Sequence, residues 1–90
     1  MESHINRIMS RIYVSDYLGA LLRDTMRRMD IANVRRLDRQ WRGKLVVVLD
    51  NAKGSQVAEE RVDNSTMIIR LPYGVSAREM RYRLADYLFS

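Results

Sequence analysis

The chain is 90 residues long and contains no cysteine, which excludes disulfides and thiolate metal sites. Hydrophobic residues make up 47% and charged residues 30%, so the sequence can bury a core and is not of the disordered class. Sixteen basic and eleven acidic residues leave a formal net charge of +5, which favours an acidic partner.

One domain spanning residues 1–90 is expected at this length. The longest unbroken apolar run, "LVVVL" at 45–49, falls far short of the ~20 residues of a membrane helix. The opening "MESHINRIMSRIYV" has no continuous apolar stretch of the signal-peptide kind. The expectation is a cytoplasmic protein with no membrane partner. The sequence does not specify an oligomeric state.

In chain order, "HINRIMSRI" places Ile5, Ile8, Met9 and Ile12 at helical spacing, with Ser3 as a candidate cap. "IYV" at 12–14 is β-branched and aromatic and suits a brief strand equally well. Ser15 and Asp16 then open a helix over 16–29, with Leu18, Leu21, Leu22, Thr25 and Met29 on one face. The next apolar set, Val34, Leu37 and Trp41, is rotated about 140° from the first at 100° per residue. One straight helix cannot bury both stripes. The spacing therefore predicts a break near 30–33, a second helix over 31–42 and a stop at Gly43.

The second half changes period. "KLVVVLD" at 44–50 is apolar on both faces, as a central strand is. "NAKG" at 51–54 reads as a turn, and "SQVAEERV" at 55–62 is polar enough to suit an edge strand. "STMIIRLP" at 65–72 alternates Met67, Ile69 and Leu71 inward. "SARE" at 76–79 is a capping box, opening a helix with Met80, Leu84 and Leu88 on its buried face. The predicted class is α+β: N-terminal helices, a three-stranded antiparallel meander and a C-terminal helix.

Charge is distributed unevenly along this plan. Residues 1–22 hold two basic and two acidic side chains, and residues 45–90 hold six of each. Residues 23–44, "RDTMRRMDIANVRRLDRQWRGK", hold eight basic against three acidic, so the whole excess sits there. Arg35, Arg39 and Arg42 recur at i, i+4 and i+7, away from Val34, Leu37 and Trp41. Arg27, Arg36 and Lys44 flank them, and Asp38 is within local reach of Arg35 or Arg42. Arginine outnumbers lysine fourteen to two, and guanidinium forks match phosphate or carboxylate oxygens two at a time. Three readings of this face stay open: a solvated surface, a phosphate-binding surface, or a surface for an acidic protein.

Secondary candidates are Arg23 on the preceding helix and Arg78, Arg81 and Tyr82 on the last one. There an aromatic ring beside two cations suits stacking on an exposed base. Trp41 shares its face with Val34 and Leu37 and reads as core. His4, the only histidine, reads as a surface residue in a frayed N-terminal segment. With neither cysteine nor a second histidine, the common nucleophile–base pairs cannot be assembled. Asp50, Glu59, Glu60 and Asp63 are irregularly spaced around an edge strand and suit solubility better than a metal site. No cofactor, metal or catalytic residue is expected.

The order helix, three antiparallel strands, helix resembles double-stranded RNA-binding domains, and "SAREMR" at 76–81 is similar to the start of their last helix. Ala77 stands where that pattern has the first of its paired lysines, and Met80 and Leu84 stand where it has small residues. With 12–14 as a strand, the order strand, two helices, three strands, helix resembles RelE/ParE-type toxins. These are small basic proteins that include ribosome-dependent mRNA endonucleases, and no motif is shared with them. Taken together, the residues point to a small basic binding protein without an enzymatic step, contacting DNA or RNA phosphates through an arginine-rich helical face. The alternatives are a protein-interaction module, an inhibitor or adaptor on an acidic protein surface, and third a RelE-like RNA-cleaving toxin.

Overall fold

The computed structural model describes residues 1–52, 57–72 and 74–90. Helix α1 (Glu2–Met9) buries Ile5, Ile8 and Met9. Its N-cap is Met1, with no side-chain cap bond, so Ser3 lies inside the helix rather than capping it. Burial of one apolar face, not a cap, holds this short helix in place. A two-residue strand follows, β1 (Ile12–Tyr13).

Ser15 caps helix α2 (Asp16–Arg27), its hydroxyl accepting from the Leu18 N–H at 3.4 Å. The predicted break is present. Asp30 caps helix α3 (Ile31–Gln40) by accepting from the Asn33 N–H at 2.9 Å. Two separate helices can each turn their own stripe inward: Leu18, Leu22 and Met26 from α2, Val34 and Leu37 from α3. Trp41 caps the C-terminus of α3, and Gly43 turns the chain into the sheet at a φ of 75°, in the left-handed region.

Strand β2 (Leu45–Ala52) pairs in parallel with β1 on one side and with β4 (Thr66–Pro72) on the other. Strand β3 (Ala58–Arg61) lies antiparallel on the outer edge of β4, so the order is β1-β2-β4-β3. The sheet is thus mixed and four-stranded. This corrects the three-stranded antiparallel meander, and with it the strand pairing implied by the resemblance to double-stranded RNA-binding domains.

The physical reason is the polarity of β3. A meander in chain order would put β3 in the middle, where Glu59 and Arg61 would have to be buried between neighbours. All four of its residues are exposed instead. Strand β4 takes the inner place because it supplies Ile69 and Leu71, both fully buried. The turn expected at "NAKG" covers 51–54; β2 runs through 52, and 53 and 54 lie outside the described residues.

Core side chains come from α1, α2, α3, the last helix α4 (Ala77–Phe89) and one face of the sheet, the face of Ile12, Val46, Val48, Ile69 and Leu71. The opposite face carries Tyr13, Leu45, Val47, Leu49 and Ile68, which stay outside that core. Ser76 caps α4 by accepting from the Glu79 N–H at 3.2 Å, the serine half of the predicted capping box, while the Glu79 carboxylate accepts from Arg83 Nε at 3.0 Å instead of from the Ser76 N–H. The other end of α4 docks on α3. Trp41 Nε1 donates to the Leu88 carbonyl at 2.8 Å, and Arg36 Nη2 donates to the Phe89 carbonyl at 3.5 Å. A cation and an indole N–H thereby meet carbonyls that the helix leaves without partners.

Candidate functional site

On α3 the buried stripe of Val34, Leu37 and Asp38 turns the opposite side of the helix outward. At 100° per residue Arg35 and Arg39 lie about 40° apart; the helix ends at Gln40 rather than 42, so Arg42 follows in the turn beyond it. All three are exposed, as is Lys44 beyond the Gly43 turn. Among the described residues none of the four side chains has a hydrogen-bond or ion-pair partner.

Asp38 explains why. It is not a local partner for Arg35 or Arg42, which corrects the expectation from its helical spacing. It is 2% exposed and held from α1 instead. Arg7 Nε donates to its Oδ2 at 3.0 Å, and Arg11 Nη1 donates to its Oδ1 at 3.2 Å and to its main-chain carbonyl at 3.0 Å. His4 Nδ1 lies 2.7 Å from Oδ2. A contact that short to a carboxylate needs a proton between the atoms, so Nδ1 is the protonated ring nitrogen. Arg7 Nη2 sits 2.9 Å from the same nitrogen, which therefore does not also accept from it. His4 is accordingly a half-buried member of a network on an ordered helix, not a surface residue in a frayed segment.

Burial alone would raise the Asp38 pKa. Hydrogen bonds from His4, Arg7 and Arg11 overcome it and bring the pKa down to about 2. Two guanidiniums on one carboxylate leave a positive remainder beside the arginine row. Arg7 and Arg11 are thus engaged with the one acid of α3, and Arg7 keeps half its side-chain surface open. Sequence reasoning missed both, because residues 1–22 balance to zero when counted along the chain.

The other predicted residues fare differently. Arg27 is occupied: its Nε donates to Glu2 Oε1 at 2.7 Å and its Nη1 to Asp24 Oδ1 at 3.3 Å. The hydrogen bond from Arg27 is the main cause of a lowered Glu2 pKa. Arg23 Nη1 donates to Asn6 Oδ1 at 2.6 Å. Arg36 is half-buried and divided between Gln40 Oε1, at 2.9 Å, and the α4 terminus. Arg28, outside the predicted set, is exposed and unpartnered among the described residues.

Tyr82 is 50% exposed, with the Arg81 guanidinium 4.9 Å and that of Arg78 6.0 Å from its ring centroid. Hydrogen bonding from Arg81, then Arg78, lowers the pKa of its hydroxyl. This group sits in the first half of α4, whereas α3 touches the last residues of that helix. The two are separated by roughly 10 Å of helix, so the structure does not merge them into one patch.

Among the described residues no three His, Asp or Glu side chains gather as they would around a metal ion, and no helix is long and apolar enough to cross a membrane. Comparison with known proteins finds no matching family model, no matching curated protein and no matching solved structure.

Proposed function

We propose that this protein is a small basic binding domain that docks on nucleic-acid phosphates through the exposed flank of α3. One observation carries the reading: among the described residues the side chains of Arg35, Arg39, Arg42 and Lys44 stand in solvent without partners, while the acid of α3 is buried against α1. Guanidiniums without carboxylates pay no cost of breaking an ion pair when a phosphate arrives, and their forks accept two oxygens each. Arg36 serves the fold more than the partner, and Arg27 would first have to leave Glu2. Arg7 and Arg11 add positive potential from α1. Contacts of this kind position a backbone without reading its sequence, so base specificity is weak.

Anisotropy of labelled DNA and RNA, followed through a salt series, tests the reading. Four phosphate contacts predict a log–log slope near −3 to −4 on duplex, at about −0.9 per contact. Arg35→Glu with Arg39→Glu should weaken binding at least ~10-fold and make the slope shallower. Absence of binding to both nucleic acids at low salt overturns the proposal and leaves the acidic protein surface as the ligand of these arginines.

A further inference from the structure

Past the end of α3 the molecule holds a cleft of about 210 Å³, between the Gly43 turn and the β3–β4 connection. Gln40, Trp41 and Lys44 from the end of α3 and Arg61, Asn64 and Met67 from around the β3–β4 connection are among the residues that line it. The volume is below the ~300 Å³ at which pockets for whole small-molecule ligands begin. It has room for one group the size of a nucleobase. The lining is mixed: an aromatic, a thioether, two amides, a carboxylate and two cations.

Each of these groups has a definable capacity. The Nε1 of Trp41 is committed to the Leu88 carbonyl, so the indole meets a ligand through its carbon surface and not through its N–H. Gln40 accepts from Arg36 through Oε1 and keeps its amide N–H groups. The Asn64 side chain has no partner among the described residues, so both its donor and its acceptor are open. Asp63, also in the lining, accepts from the Ser65 N–H at 2.8 Å and the Ser65 hydroxyl at 3.1 Å. Those bonds, the one from the N–H first, lower its pKa, so it remains an acceptor. Lys44 and Arg61 are exposed and without partners among the described residues. Lys44 also continues the cationic row, carried around the helix end by the left-handed Gly43.

We infer that this cleft receives a single unpaired base, and that the preferred ligand is single-stranded nucleic acid, with flanking phosphates on Lys44, Arg61 and the α3 arginines. The inference rests on the phosphate-binding reading above and names its ligand class. A duplex keeps its bases stacked and paired and can offer only phosphates to this surface. A single strand can turn one base out onto an aromatic wall, where amides and a carboxylate meet its polar edge.

Trp41 is the only tryptophan in the chain, so its emission reports on the cleft directly. The protein is titrated with labelled oligo-dT and, separately, with a blunt duplex of equal length, recording label anisotropy and tryptophan emission together. Both ligands should bind, the single strand roughly tenfold more tightly, and only the single strand should quench Trp41. Arg61→Glu, at an exposed position of the edge strand, should bring single-strand affinity down to that of the duplex. Equal affinities with unchanged emission overturn the cleft inference and leave the phosphate-binding reading standing. Failure of both ligands to bind overturns that reading itself.

Discussion

Asp38 is ionised although almost nothing of it reaches solvent, and its stability effect has a definite sign. Its folded pKa of about 2 lies below the ordinary 3.8, so the folded state binds its proton less readily than the unfolded state does. The stabilisation is therefore complete above about pH 4 and is lost as pH falls toward 2. At 1.36 kcal/mol per unit the shift is worth roughly 2 kcal/mol. Thermal melts across this window should show the native chain losing about that much more stability than Asp38→Asn, which is already weakened at neutral pH. Parallel curves for the two would remove the network from the stability of the fold. The spacing of α3 suggested Arg35 and Arg42 as partners for this carboxylate. The actual partners lie 27 to 34 residues earlier, a relation that no local periodicity carries.

At the scale of elements, the junctions around α3 were legible because they rest on local chemistry. The rotated apolar stripe demanded a break, Asp30 offered an N-cap, and glycine at 43 could enter the left-handed region. Gly43 sits at a φ of 75°, and a Cβ added there would meet no heavy atom within 4 Å. The cost of Gly43→Ala is then conformational alone, about 1 kcal/mol, measurable as a lower urea midpoint with an unchanged slope. A neutral or stabilising result would mean that the turn does not need this conformation. The start of α1 was less legible, because the helix begins without a capping side chain and is held by a face whose burial depends on α2 and α3.

For the molecule as a whole, all four helices supply the core on one side of the sheet, and neighbouring residues of one strand differ accordingly. Val46 is fully buried, whereas Val47 on the opposite face is half-buried and outside the core. Val46→Ala should cost roughly 2 kcal/mol and Val47→Ala under about 1, both read by chemical denaturation. Equal losses would show that the second face is covered too. The same one-sided arrangement governs the candidate site. It docks α1 on α3, draws Asp38 inward, and leaves Arg35 and Arg39 outside with no acid beside them among the described residues.

The sequence by itself determined the helices other than the start of α1, the three longer strands, the break before α3, the edge character of β3 and the stretch that holds the excess charge, while it left β1 open. These follow from side-chain period, capping groups and composition, which act within a few turns of chain. Only the tertiary structure decided that β4 inserts between β2 and β3, that Arg7 and Arg11 hold Asp38, that Arg27 and Arg36 are occupied, and that a cleft lies between the end of α3 and the β3–β4 connection. Each of those depends on which distant surfaces bury one another, and burial between elements leaves no period in the chain to read.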